Sequence, residues 1–159
     1  MIETLKKRIG REESGFTLIE LLVVIIILGI LLAIAVPSYL SLKDRANRAS
    51  AKSNVRTALP SIEQYNADNY PGSPNDPNGN ATDTGYANID RATLQAKYDP
   101  AISPSLTIND MGVAAGTDFC VYAASGQFTA WQHGPADPGG IHVGKTADFV
   151  PATCTGVDG

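Results

Sequence analysis

Histidine, cysteine and tryptophan are scarce in this chain of 159 residues: two, two and one. The histidines, His133 and His142, stand in Gly- and Pro-rich sequence without the ligand spacing of a zinc site, and they read as surface loop residues. No Gly-x-Ser-x-Gly elbow surrounds Ser125, and no phosphate-binding loop is present. The expected catalytic residues, metal ligands and cofactors are therefore none. Positive charge is also short. The net charge is −4, so the general electrostatic footprint of a nucleic-acid binder is missing and no nucleic-acid partner is expected.

Average composition, with 43% hydrophobic and 18% charged residues, is that of an ordinary globular chain. The average hides an asymmetry. Residues 16–36 carry only two polar side chains, Thr17 and Glu20, and Leu21 through Val36 carry none. As a helix this block spans roughly 30 Å, about one hydrocarbon core. Before it lies a short charged leader with Lys6, Lys7, Arg8 and Arg11 against Glu3, Glu12 and Glu13, which the positive-inside tendency keeps in the cytoplasm. After it come Lys43, Arg45, Arg48, Lys52 and Arg56, which read as a solvated helix face.

Three readings compete for the apolar block: a membrane anchor, a secretory signal peptide cut at Ala33-Ile34-Ala35, and a helix cut before the block rather than after it. Glu20 separates them. A carboxylate in an apolar helix costs on the order of a few kcal/mol in lipid, and an anchor or signal peptide gains nothing from it. Cleavage between Gly15 and Phe16 creates a cation partner, the free α-amine of Phe16. In a bundle, Glu20 of one copy can meet the amine of its neighbour, so that correct register neutralises both charges.

The run Gly15-Phe16-Thr17-Leu18-Ile19-Glu20-Leu21 resembles the prepilin signature shared by type IV pilins and type II secretion pseudopilins. The resemblance implies several things. A prepilin peptidase cleaves after Gly15 and methylates the amine of Phe16. Glu20 aids recruitment to a growing helical homo-oligomer. An assembly platform and motor are separate partners. The leader is a little more acidic than those of the family at Glu12 and Glu13. Gly29 and Pro37 fall where pilins carry helix breakers. Gly costs roughly 1 kcal/mol in a helix interior and Pro removes a hydrogen bond. Close helix packing in the membrane is a second use for Gly29.

The helix is expected to continue well past the block. Ala51, Val55, Ala58, Ile62 and Tyr65 form one apolar stripe at helical spacing. This argues against cleavage after Ala35. Pro60 is expected to kink the helix or start a fresh turn. From Phe16 to about Tyr65 the helix would be roughly 75 Å long, too long to sit inside so small a domain, so its first half must project.

Residues 66–88 are dense in Asn, Asp, Gly and Pro and read as a long loop. Asp76, Asn78 and Asn80 alternate as at the start of an EF-hand loop, but Ala81 replaces the turn glycine and no Glu stands at Ala87. A solvated loop is the default, with calcium binding over 72–88 left open. Ile89–Lys97 reads as a short helix with Asn88 as its cap. Strands are expected at Leu106–Ile108, at Phe119–Ala123 and Gln127–Trp131 around an Ala124-Ser125-Gly126 turn, and at Ile141–Val143. The fold class is therefore α+β: a long N-terminal helix, hydrophobic then amphipathic, packed on a small antiparallel sheet.

Cys120 and Cys154 make an even count, which in an exported chain suggests one disulfide. It would close a loop of about 35 residues and stabilise the fold by roughly 4 kcal/mol in the chain-entropy model. The pair is similar in placement to the C-terminal disulfide of many pilins, which bounds an outward-facing loop. By that likeness the enclosed stretch, including Trp131, Gly134-Pro135 and Pro138-Gly139-Gly140, is a plausible contact surface.

The organisation expected is a removed leader at 1–15, a membrane and filament-core segment at 16–36, and an exported globular domain at 37–159. The expected location is the inner membrane before assembly and an extracellular pilus afterwards. The short leader, Phe as first mature residue and the cysteine pair favour a major pilin of the type IVa kind. A type II secretion pseudopilin, which usually lacks this disulfide, and an adhesive minor pilin are the alternatives.

Overall fold

The computed structural model describes residues 15–80, 82–111, 116–135, 137 and 139–158. Of the leader expected at 1–15, residues 1–14 lie outside them. The chain divides into two compact units, Met1–Ser41 and Leu42–Gly159.

Helix α1 runs from Leu18 to Asp68 and belongs to both units. In the first unit every described residue is solvent-exposed. Gly29 and Pro37 do not interrupt the helix, and the Ser38 hydroxyl donates to the Ile34 carbonyl at 3.2 Å, within the turn that Pro37 enters without an N–H.

In the second unit α1 buries Ala51, Val55, Ala58, Ser61, Ile62 and Tyr65, the stripe expected from their spacing. The helix continues through Pro60 and ends three residues beyond Tyr65, where a kink or fresh turn was expected. Ala58 and Ile62 on either side of the proline are fully buried. Packing of that stripe offsets the roughly 3 kcal/mol that an interior proline costs.

The short helix α2 spans Arg91–Lys97. Its cap is Asp90, not Asn88: the Asp90 carboxylate accepts from the Thr93 N–H at 2.7 Å. Asn88 instead adopts a left-handed conformation, φ 57°, which asparagine tolerates.

Strands β1 (Leu106–Asp110), β2 (Phe119–Ser125), β3 (Phe128–His133) and β4 (His142–Lys145) form one antiparallel sheet in sequence order. The β2–β3 turn is Gly126-Gln127, one residue later than the composition suggested. Ser125 pairs with Phe128, and Gly126 takes φ 59°, a two-residue turn that needs glycine first. Its Cβ position would lie 2.4 Å from the Asn47 side chain, so only glycine lets the turn lie against α1. Beside it the Gln127 amide donates to Asp44 at 3.0 Å and the Arg48 guanidinium lies 4.2 Å over the Phe128 ring.

Side chains alternate across the sheet. Phe119, Val121, Ala123 and Ala130 join the stripe of α1, with Leu94 of α2, in the main core. Cys120 and Trp131 point the other way and pack with Cys154, Tyr122 and Phe149 in a second cluster. Each sheet face is thus covered by its own apolar group.

Candidate functional site

The candidate site begins at the start of α1. Thr17 and Glu20 form a reciprocal cap. The Thr17 N–H and hydroxyl donate to one Glu20 carboxylate oxygen at 2.9 and 2.7 Å, and the Glu20 N–H donates to the Thr17 hydroxyl at 3.3 Å. Thr-x-x-Glu before an apolar run is the capping-box pattern, and the carboxylate also complements the positive end of the helix. The sequence reading treated Glu20 as an acid in need of a cation. The structure gives it partners within its own turn, and the signal for them was present in Thr17.

From that cap the apolar block presents its side chains outward. Phe16 is 90% exposed, and Leu21 through Leu42 contribute a continuous run of large exposed residues. Burying one such side chain is worth about 1.5–3 kcal/mol. Leaving more than a dozen of them in water is untenable, so this half of α1 requires an apolar surrounding. It is long and apolar enough to cross a membrane. Gly29 has open space around its Cβ position, so nothing among the described residues needs a glycine there.

The second expected region is the C-terminal one. Cys120 and Cys154 are bonded, with Cα atoms 5.6 Å apart. The chain past the disulfide returns along the sheet, where Gly144 bridges to Asp158. Trp131, expected on a contact surface, is instead buried, 3% exposed. It stacks on His142 at 5.6 Å and contacts Phe149 at 5.2 Å, because the segment around Gly156 closes over it. A Cβ at Gly156 would stand 2.7 Å from the indole.

His133 ends β3, where a surface loop residue was expected, and His142 opens β4, on the strand expected at Ile141–Val143 rather than in a loop. The His142 ring joins Asp158 at 2.7 Å through Nδ1 and Asp137 at 3.2 Å through Nε2. The hydrogen bond to Asp158 raises the His142 pKa above its usual value; partial burial opposes this and Asp137 adds to it. Partial burial pushes Asp137 up, but bonds from His142 and the Gly139 and His133 N–H groups outweigh it and hold the carboxyl below its usual range. His133 pairs with Asp118 at 2.8 Å. Among the described residues no group of three or more His, Cys, Asp or Glu is placed to hold a metal ion.

In the loop after α1, Asp76 accepts from the Asn78 and Gly79 N–H groups at 3.0 Å, and the Asn78 amide donates to Asp83 and the Tyr65 hydroxyl at 3.1 Å. The alternating acids and amides are therefore engaged in closing the loop.

Residues 10–36 match the family model for the prokaryotic N-terminal methylation motif. That N-terminal segment is prepilin-like. It is 43% identical over 60 residues to a type II secretion system core protein G of Pseudomonas aeruginosa, covering 38% of this chain and 42% of that one. The corresponding protein of Escherichia coli is 34% identical over 59 residues, 37% of this chain and 41% of its own. The type IV major pilin protein PilA of Myxococcus xanthus is 43% identical over 49 residues, 31% of this chain and 22% of the pilin. The match thus spans about two fifths of the secretion proteins and under a quarter of the pilin. No solved structure matches the chain. The matched segment contains both Gly15-Phe16 and the Thr17–Glu20 cap.

Proposed function

We propose that this protein is a structural, non-catalytic subunit of a type IV pilus. A prepilin peptidase removes residues 1–15 and methylates the Phe16 amine. The chain is then held in the inner membrane by the apolar half of α1 and polymerised by an assembly platform and motor into an extracellular helical filament. The observation that carries this reading is the fully exposed apolar run of α1 headed by Glu20. Such a surface suits storage in lipid, then burial among copies of itself. The Glu20 carboxylate has a second oxygen that the Thr17 cap does not engage, open to the amine of a neighbour. Gly29 and Pro37 are the points at which the helix yields on packing into the filament.

The C-terminal disulfide supports a pilus subunit. The similarity to type II secretion core proteins supports a second reading, a subunit of a secretion pseudopilus. A Gly15→Leu chain tests the shared part of both. It is expected to stay at full length in the membrane fraction with no filament recovered by shearing. Filaments built from uncleaved Gly15→Leu chains would overturn the proposal.

A further inference from the structure

Charge is divided unevenly along the chain. Residues 43–56 carry five Lys or Arg against one acid, Asp44, whereas residues 57–159 carry three against eleven Asp or Glu. Within α1, Arg45, Lys52 and Arg56 lie within about 40° of one another around the helix axis and span about 17 Å along it. All three are exposed, on a line about a third of a turn from the buried stripe, and among the described residues none of them forms an ion pair with a carboxylate of this chain. Arg48, off that line, is engaged over Phe128.

The acidic remainder has its own focus around Asn88. The Asn88 N–H donates to Asp110 at 3.3 Å and its amide donates to Asp83, while Asp90 caps α2 two residues on. Burial pushes the nearby Tyr65 hydroxyl up to about 12, and the fields of Asp83, Asp90 and Asp76 add to the rise. The cations closest in sequence are held by backbone carbonyls. Arg91 donates to the Pro104 and Leu106 carbonyls, and Lys97 donates to the Asp76 carbonyl at 2.9 Å.

We propose that the Arg45–Lys52–Arg56 stripe docks on the Asp83–Asp90–Asp110 patch of a second copy of this chain. The proposal rests on the filament reading above. The two surfaces differ, so the contact is heterologous and leaves a free stripe and a free patch at opposite ends of every pair, the condition for an open helical assembly. Anionic lipid headgroups are the other candidate for a basic stripe. The headgroup layer is only about 5–8 Å deep on each side of the hydrocarbon, while Lys52 and Arg56 lie about 15 and 21 Å along the helix from Leu42, the last large apolar residue of the exposed run. Charge complementarity also gives the contact its specificity, since stripe-to-stripe and patch-to-patch encounters repel.

Carbodiimide cross-linking of filaments sheared from native cells, with peptide mass analysis, tests it. Lys52 is expected to be linked to Asp83, Asp90 or Asp110 in filaments and not in the same chains dissolved in detergent. In parallel, a Lys52→Glu, Arg56→Glu chain is expected to lose at least tenfold in filament yield while its cleaved form accumulates in the membrane. Absence of those links, or an unchanged yield, overturns the proposal and leaves the filament reading standing. A reversal that depletes the stored chain from the membrane assigns the stripe to lipid headgroups and overturns it as well. Wild-type cells that yield no filament remove the filament reading itself, an outcome recognisable without any variant.

Discussion

The Thr17 hydroxyl donates to the Glu20 carboxylate at 2.7 Å and accepts from the Glu20 N–H at 3.3 Å, closing the first turn of α1 from both sides. The pair secures the start of the helix, and under the proposed function the same carboxylate has a second task, presenting a charge beside the proposed cleavage point. The two tasks separate on substitution. Glu20→Gln keeps a capping-box residue, so it is expected to leave leader removal and helix content intact while filament yield falls at least tenfold. Thr17→Ala removes the cap, costing about 1 kcal/mol, and is expected to leave the charge-dependent step in place. Shearing yield beside circular dichroism of the detergent-held chain distinguishes them.

The disulfide holds the segment that covers Trp131, the chain's single tryptophan. Cys120→Ser with Cys154→Ser is expected to cost about 2–5 kcal/mol in unfolding free energy and to shift Trp131 fluorescence to longer wavelength. An unshifted spectrum would mean that the second cluster forms without the bond.

Gly144 and Gly156 admit that same segment. A Cβ at Gly144 would stand 2.1 Å from the Val157 carbonyl oxygen, a backbone atom that moves only if the segment moves. Gly144→Ala is expected to destabilise by about 1–3 kcal/mol, as overpacking does, with the same red shift of Trp131 that is expected of the cysteine variants. A lower melting temperature without that shift would place the strain elsewhere.

His142 and Asp137 set a pH window. The folded pKa of His142 is raised, so its stabilisation is complete below the ordinary histidine value near 6.5 and is lost as pH rises through the folded value. That of Asp137 is lowered, so its stabilisation is present above the ordinary value near 3.8 and is lost as pH falls through the folded one. Melting temperature is expected to peak between those limits and to decline as pH rises through the folded His142 value. His142→Gln is expected to flatten the alkaline decline. An equal decline in wild type and His142→Gln would contradict the assignment.

The helix and its partner sheet were legible because their signals are local and periodic. Ala51, Val55, Ala58, Ile62 and Tyr65 recur at helical spacing, and Phe119–Ala123 carries strand-forming residues beside a glycine turn. Misplaced features depend on single side chains or on distant chain. Asp90 and Asn88 are both good caps, and only the backbone at Asn88, with positive φ, decides between them. Trp131 is placed on a contact surface only by likeness to the disulfide-bounded loop of pilins, and the segment that buries it lies some 25 residues away. His133 reads as a loop residue because glycines and prolines follow it directly, whereas His142 falls on the strand expected at Ile141–Val143. In the functional region Gly15, Phe16 and Glu20 stood out at once, whereas Thr17 was passed over although the capping pattern was in view.

The most direct test of the central claim is the intact mass, with N-terminal fragmentation, of the protein sheared from its native cells. The account predicts a chain that starts at Phe16, carries one added methyl group, and is recovered in the filament fraction. A chain starting at Val36 in the culture medium would mean a signal peptide cut after Ala35, and would contradict both the processing and the assembly proposed here.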